Sequence, residues 1–185
     1  MSNSDERGLV FKVVVVGDGA VGKTSLIRRY TQGDFQKQYI QTLGAQFTNF
    51  RTEVESTPID LIFWDIAGQE AYGQLRGNFY QGSSAAIIVF SQEDSEHGKK
   101  SLQSVSKWYD DIKKHCGPIP VILFGNKIDL INEDILAKNK DQVDILFNSY
   151  RFLGFYNTSA LSGDGVNIAF EIIVKKLFEI NRHII

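Results

Sequence analysis

Several features that mark special classes of protein are scarce in this chain of 185 residues. Its single cysteine, Cys116, cannot form a disulfide within the chain, so we expect a reducing, cytoplasmic setting rather than a secreted disulfide scaffold. Lys and Arg number 20 against 22 Asp and Glu, and this lack of a basic excess predicts neither nucleic acid nor an anionic membrane as a partner. No apolar run approaches the roughly 18 residues that span a bilayer.

Short apolar segments alternate with longer amphipathic segments along the chain. The short ones have the length and the β-branched or aromatic content of strands, and the longer ones space apolar residues at helical intervals. This alternation is typical of a doubly wound α/β fold. It predicts strands over residues 9–16, 59–65, 85–90, 120–125 and 155–160, and helices over residues 22–32, 72–81, 99–116, 134–151 and 164–180.

Residues 45–54 alternate polar and apolar side chains in part, and a short connection joins them to the next strand, which predicts an antiparallel edge hairpin. The sheet should therefore be mostly parallel and six-stranded, with one antiparallel edge strand and helices on both faces. No repeat or linker divides the chain. We expect one domain over residues 9–182, after a flexible segment 1–8 and before residues 183–185, which offer no cysteine for a lipid anchor.

A glycine-rich stretch, GDGAVGKTS, directly follows the first predicted strand. Residues 17–24 match the phosphate-binding pattern G-x-x-x-x-G-K-[ST], in the strand-to-helix context that such a loop requires. Glycines let successive N–H groups approach a phosphate, Lys23 adds positive charge, and the Thr24 hydroxyl is a candidate Mg²⁺ ligand. The alternative is a turn that only joins strand to helix. The predicted phosphate-binding residues are Asp18, Gly19, Ala20, Val21, Gly22, Lys23, Thr24 and Ser25.

The segment NKID follows the predicted strand 120–125. The Asp129 carboxylate can accept hydrogen bonds from N1–H and the 2-amino group of guanine, a pair that adenine does not offer. Asn126 is expected to tie neighbouring loops together, and the aliphatic stem of Lys127 to cover one face of the base. Taken alone, the segment is equally compatible with an ordinary polar turn.

A second loop on the base side is predicted after the last strand, where the sequence reads TSA. The backbone N–H groups of Ser159 and Ala160 are candidates to hold the guanine carbonyl. Capping of the final helix is an equally good explanation for such small residues.

The segment DIAGQ ends the strand predicted over residues 59–65. Asp65 can reach Mg²⁺ through a water, the Gly68 N–H can donate to the γ-phosphate, and Gln69 can orient an attacking water. A turn that caps a helix is the alternative.

Thr42 lies in the loop before the edge hairpin, 18 residues after Thr24. Its hydroxyl can complete the metal shell, and its N–H can sense the γ-phosphate. Phe35 is a candidate to stack edge-on against guanine, with a place in the core as a close alternative. Tyr39 is included among the predicted nucleotide-binding residues. The three histidines have no metal-ligand spacing and are expected at the surface.

In their order and spacing these motifs resemble the Ras superfamily of small GTPases, over nearly the whole chain, and residues 32–47 and 64–80 look most like the Rab and Ran branches. The resemblance implies a small G domain of the P-loop NTPase type that binds GTP or GDP. It implies Mg²⁺ held by Thr24, Thr42 and Asp65, with Lys23 and Gln69 as the catalytic residues. It further implies an exchange factor, an activating protein and effectors that contact segments 34–44 and 65–80 of a monomer.

Some positions depart from the family pattern. Ile66 stands where threonine is usual, and Gln41 and Leu43 flank Thr42 where Rab proteins favour proline and isoleucine. Residues 89–94 read VFSQED where YDVTD is more usual. None of these changes removes a catalytic atom, but they leave the branch and the effectors open. Without a C-terminal cysteine the protein is expected to be cytoplasmic, and peripheral to a membrane only if a lipidated tail or a partner is missing.

The expected function is a switch that hydrolyses GTP slowly. One alternative is an interaction module that binds GTP or GDP without turnover. Another is a P-loop kinase or metabolic ATPase, which the NKID segment disfavours. Competition by GTP but not by ATP would separate the last of these from the others.

Overall fold

A computed structural model of the protein describes residues 8–35, 41–69 and 76–184. A six-stranded sheet forms its centre, with the strands in the order β2-β3-β1-β4-β5-β6. Every pairing is parallel except that of β2 with β3. The strands are β1 (Leu9–Val16), β2 (Ala45–Val54), β3 (Thr57–Ile66), β4 (Ala85–Ser91), β5 (Val121–Asn126) and β6 (Phe155–Asn157).

The antiparallel pair lies at the sheet edge, as predicted. Glu55 and Ser56 form the tight turn between β2 and β3, and both have positive φ angles, of 50° and 64°. Two successive residues in that region give a turn whose twist matches that of the flanking strands. The predicted mostly parallel α/β architecture, with one antiparallel edge strand and helices on both faces, is confirmed.

Helices follow the strands in the expected alternation. Asn132 accepts a hydrogen bond from Ile135 N–H and so caps the longest of them, while Gly33, in the left-handed region, ends the first. The helices are α1 (Lys23–Gln32), α2 (Arg76–Tyr80), α3 (Glu96–Gln103), α4 (Val105–Cys116), α5 (Glu133–Ser149) and α6 (Val166–Asn181), with 3₁₀ turns at Ile128–Leu130 and Arg182–Ile184.

Two elements differ from the sequence prediction. The helix predicted over residues 99–116 is two helices, α3 and α4, divided at Ser104, and it starts earlier because the Ser95 hydroxyl caps α3. The last strand ends at Asn157 rather than at residue 160, because the chain turns at Ser159, whose N–H donates to the Asp164 carbonyl and whose carbonyl accepts from Gly163 N–H. Of the helix predicted over residues 72–81, positions 72–75 lie outside the described residues.

Apolar side chains fill both faces of the sheet. Successive valines of β1 point to opposite faces, so Val13 packs with α1 and α6 while Val14 packs with the helices of the other face. Phe170 of α6 is fully buried and stacks on Tyr30 of α1, with ring centroids 4.4 Å apart. Within the described residues no helix combines the length and the apolarity needed to cross a membrane.

Replacing the central aromatic ring of the α6 face should destabilise the domain strongly. Phe170→Ala leaves a cavity facing Tyr30, Phe63 and Phe124, so we expect the free energy of unfolding to fall by about 3–5 kcal/mol in urea titrations. Ile168→Ala, on the same helix at a side chain that is 63% exposed, is the control and should change it by less than about 0.5 kcal/mol. Similar losses in both variants would contradict this view of the core.

Candidate functional site

A cleft of about 720 Å³ opens at the carboxyl ends of β1, β3 and β5, the edge at which open α/β sheets bind ligands. Most of the predicted site residues line it, namely Gly19, Ala20, Gly22, Lys23, Thr24, Ser25, Phe35, Thr42, Asp65, Gly68, Gln69, Asn126, Lys127, Asp129 and Ala160. Asp18, Val21 and Ser159 are not among the residues that line the cleft, and Tyr39 lies outside the described residues.

The phosphate loop, residues 17–24, has a backbone that side chains would obstruct. Gly17 has φ of 140°, and a Cβ there would collide with the Val89 carbonyl oxygen. Gly22 has φ of 99°, and a Cβ there would collide with the Asn126 amide. Because no side chain of the described residues caps α1, its first N–H groups are available to an anion.

Lys23 lies at the base of this loop with only 6% of its surface exposed. Its ammonium donates to the Gly17 and Asp18 carbonyl oxygens, each at 2.8 Å. Burial lowers the pKa of Lys23 to about 8, although the charges of Asp65 and Asp18 oppose the shift. A phosphate at this position would favour the charged form of the lysine.

The side chain of Asp18 points away from the cleft. Trp108 Nε1 donates to its Oδ1 at 2.8 Å, and the Ser104 hydroxyl donates to its Oδ2 at 2.9 Å. Val21 is fully buried in the core. Asp18 and Val21 can therefore contact a phosphate only through their backbone N–H groups. The sequence did not point to Trp108 or Ser104, which are distant from the loop along the chain.

Three oxygen-bearing side chains converge beside Lys23. The hydroxyls of Thr24 and Thr42 are 3.1 Å apart, and both donate to Asp65 Oδ2. The other oxygen, Oδ1, is buried without a hydrogen-bond partner among the described residues. Burial raises the pKa of Asp65, against the opposing effects of the Lys23 charge and of the two threonine hydroxyls. Hard oxygen ligands and an unsatisfied carboxylate oxygen fit a Mg²⁺ ion.

The segment after β3 lies directly on the phosphate loop. A Cβ at Gly68 would overlap the Gly17 carbonyl and the Gly19 N–H, so the two backbones meet where only glycine fits. The next residue, Gln69, lines the cleft, and its carbonyl accepts a hydrogen bond from Arg76 Nη2 at 2.6 Å.

Arg76 is a residue that the sequence did not single out. Only 4% of its surface is exposed, and its guanidinium lies 4.3 Å from the centre of the Trp108 ring. Through Trp108 it connects the Gln69 segment to the aspartate of the phosphate loop. Nothing in the periodicity around residue 76 distinguishes a buried arginine from one at the surface.

The base loop, residues 126–129, is joined to both neighbouring loops. Asn126 donates to the Val21 carbonyl at 2.9 Å and accepts from Ala160 N–H at 3.2 Å. Asp129 accepts from the Ser159 hydroxyl at 2.5 Å. One amide and one carboxylate thereby fix the relative positions of the phosphate loop, the base loop and the loop that contains residues 158–160.

The two backbone N–H groups predicted to hold a base carbonyl have protein partners. Ser159 N–H donates to the Asp164 carbonyl at 2.9 Å, and Ala160 N–H donates to Asn126. Either N–H group could contact a base carbonyl only by sharing its hydrogen between that carbonyl and its present protein acceptor. Arg29 of α1, also missed from the sequence, steadies this loop by donating to the Ala160 and Leu161 carbonyls at 2.8 and 2.6 Å.

Lys127 makes an ion pair that the sequence did not predict, and Phe35 has both of the environments considered for it. Lys127 has φ of 68°, and its ammonium donates to Glu93 at 2.8 Å. Phe35 lines the cleft but is also half-buried against the core, so both interpretations of that residue describe part of its environment. Of the two segments expected to respond to nucleotide, residues 36–40 and 70–75 lie outside the described residues.

Comparison with known proteins adds one finding. A protein-family model described as Ras family matches residues 12–179. The match runs from β1 into α6 and thus includes each loop of the cleft.

Loss of the Trp108 indole N–H, which donates to Asp18 of the phosphate loop, should lower the stability of the fold. Trp108→Phe keeps an aromatic ring but removes the donor to Asp18, so we expect the free energy of unfolding in urea to fall by about 1–3 kcal/mol. Trp64→Phe, at a half-buried position on β3, is the matched control and should cost less. Equal losses would mean that ring size, and not the hydrogen bond, matters at residue 108.

Proposed function

Because this chain belongs to the Ras family, we propose that it is a GTP-binding molecular switch that slowly hydrolyses GTP to GDP and phosphate. The convergence of Lys23, Asp65 and Asp129 in one cleft is the observation that carries this proposal. Ras-family GTPases generally bind GTP or GDP with Mg²⁺ and act through regulators and effectors. The finer assignments below go beyond that general statement.

The phosphates are proposed to occupy the phosphate loop. There the first N–H groups of α1 and the Lys23 ammonium face an anion, and the low local polarity strengthens both interactions. Thr24, Thr42 and Asp65 would hold Mg²⁺, which supplies positive charge to the phosphate oxygens when it is bound. The residues of the chain thus fix the triphosphate before any reaction starts.

Hydrolysis is proposed to depend on Gln69, which orients a water for in-line attack on the γ-phosphate. Lys23 and the backbone N–H groups stabilise the charge that develops on the phosphate oxygens. The guanidinium of Arg76 is buried against Trp108 and bonds to a backbone carbonyl, so we do not propose it as a contact of the phosphate oxygens. We propose that an activating protein contributes an arginine, worth about 10³–10⁵ in rate.

Guanine selectivity is proposed to come from Asp129. The Ser159 hydroxyl holds this carboxylate at the rim of the cleft, where it can accept from N1–H and the 2-amino group. An adenine would leave the carboxylate without those donors, which makes rejection strong. This arrangement supports GTP over ATP and so disfavours a P-loop kinase or metabolic ATPase.

We propose that the switch depends on hydrogen bonds from the N–H groups of Thr42 and Gly68 to the γ-phosphate. Loss of that phosphate would release segments 34–44 and 65–80, which are the proposed contacts for exchange factor, activating protein and effectors. The similarity to the Rab and Ran branches in these segments supports a role in intracellular trafficking or transport signalling. We further propose a cytoplasmic monomer whose G domain spans residues 9–182.

Identification of the nucleotide that the purified, Mg²⁺-equilibrated protein releases on denaturation tests the proposal. We expect near-stoichiometric GDP on chromatography, because the site would bind GTP and turn it over. Retained GTP would instead favour the interaction module without turnover. A nucleotide-free protein that also fails to take up added GTP would contradict the proposal.

Removal of the water-orienting group should separate turnover from binding. Gln69→Leu is expected to bind GTP with unchanged affinity but to hydrolyse it about 10- to 100-fold more slowly in single-turnover assays, since the water is no longer positioned. Gln103→Leu, an exposed position on α3, is the control and should match the wild type. Unchanged hydrolysis in the Gln69 variant would remove that residue from the mechanism.

A further inference from the structure

Polar side chains lie between the phosphate loop and the base loop, outside the cleft. His97 Nε2 lies 2.8 Å from the Gly19 carbonyl oxygen and must carry the proton, because a carbonyl only accepts. The other ring nitrogen, Nδ1, is 3.8 Å from Glu93 Oε2, which is too far for a hydrogen bond. The same carboxylate oxygen accepts from Lys127 Nζ at 2.8 Å. We call the pair of Glu93 and Lys127 the Glu93 bridge.

The backbone on both sides of Glu93 is held by its neighbours. Gln92 N–H donates to the Asn126 carbonyl at 2.8 Å, and the Asn139 amide donates to the Gln92 carbonyl at 3.1 Å. Ser95 caps α3 two residues after Glu93. Because the carboxylate is presented from a fixed backbone, less conformational entropy is lost when it pairs with Lys127 than at an ordinary surface site.

The carboxylate of Glu93 is also partly shielded from water. Its side chain is 26% exposed and that of Lys127 is 25% exposed, and the Ser91 hydroxyl donates to the same carboxylate at 2.6 Å. Burial acts to raise the pKa of Glu93, but hydrogen bonds from Lys127 and Ser91 and the nearby positive charge lower it overall. The pair is therefore screened less than a fully solvated ion pair.

The neighbouring acid provides a contrast. Asp94 pairs with Lys99 at 3.1 Å, but their side chains are 45% and 55% exposed, and neither lines the cleft. Such a pair contributes little. Glu93 differs because its partner, Lys127, lines the nucleotide cleft.

We propose that Glu93 is a positioning residue that slows nucleotide release by holding Lys127 at the base site. The inference rests on the proposed function. A nucleotide leaves only when the residues that cover its base move aside. The Glu93 bridge joins Lys127 to the segment after β4, whose backbone is held by its neighbours, and opposes that movement.

The Glu93 bridge predicts a nucleotide dwell time that depends on a carboxylate at residue 93.

Glu93→Gln tests the proposal in the full chain. The variant keeps the size of the side chain but loses its charge, so release of a fluorescent GDP analogue into excess GDP with Mg²⁺ present should be about 3- to 10-fold faster. Single-turnover hydrolysis of GTP already bound should be unchanged, because the bridge does not touch the γ-phosphate side. If Glu93 only stabilised the fold, its loss would change the rate of hydrolysis as well as the rate of nucleotide release.

Two further variants sharpen the test. Asp94→Asn removes the adjacent charge from the exposed pair and should release nucleotide at the wild-type rate. In a Lys127→Gln background, Glu93→Gln should accelerate release less than it does alone, because one partner of the carboxylate is already absent.

The outcomes are distinguishable. Failure of the wild type to bind GDP would count against the proposed function, whereas wild-type release from Glu93→Gln would overturn the role of Glu93 alone. Faster release together with slower hydrolysis would indicate general damage to the site and would also overturn it. If Glu93→Gln does not fold, Glu93→Asp, which keeps the charge but withdraws the carboxylate from Lys127, takes its place, and wild-type release from that variant overturns the proposal.

Discussion

The close contact between the phosphate loop and the ends of its neighbouring strands is the constraint on which the rest of the structure depends. Gly17 meets the carbonyl of Val89 on β4, and Gly22 meets the amide of Asn126 on β5, each with no space for a Cβ. The loop is thus shaped by backbone groups that the sheet already fixes. Because β1, β4 and β5 are parallel neighbours, assembly of the sheet also assembles the site.

Behind this loop, polar side chains replace apolar packing. Asn126 and Asp129 join the loops of the base side, whereas Trp108 and Arg76 connect Asp18 to the Gln69 segment. Such buried polar groups are costly unless each finds its partner, so they specify one arrangement of the loops more strongly than apolar contacts would. Asn126, which donates to the Val21 carbonyl, thereby joins the base end of the cleft to the phosphate end.

The sequence predicted those parts of the molecule that local chemistry determines. Valine-rich strands, the glycines of residues 17–24 and the NKID segment act through backbone geometry and side-chain type, and both can be read along the chain. It did not predict Arg29, Arg76 or the division of the long helix at Ser104. Each of these depends on a contact with a distant residue, such as Ser104 with Asp18, that only tertiary packing creates. Residue spacing carries no signal for such pairs.

The position of β1 has a consequence for biosynthesis. Its run of four valines is fully buried between β3 and β4, both of which lie later in the chain. In a nascent chain this aggregation-prone, strongly β-forming segment therefore lacks its partner strands β3 and β4 until β4 has left the ribosome. Folding must wait for long-range strand pairing, and the charged residue Lys12 and the glycine Gly17 on either side of the valines limit aggregation in the meantime.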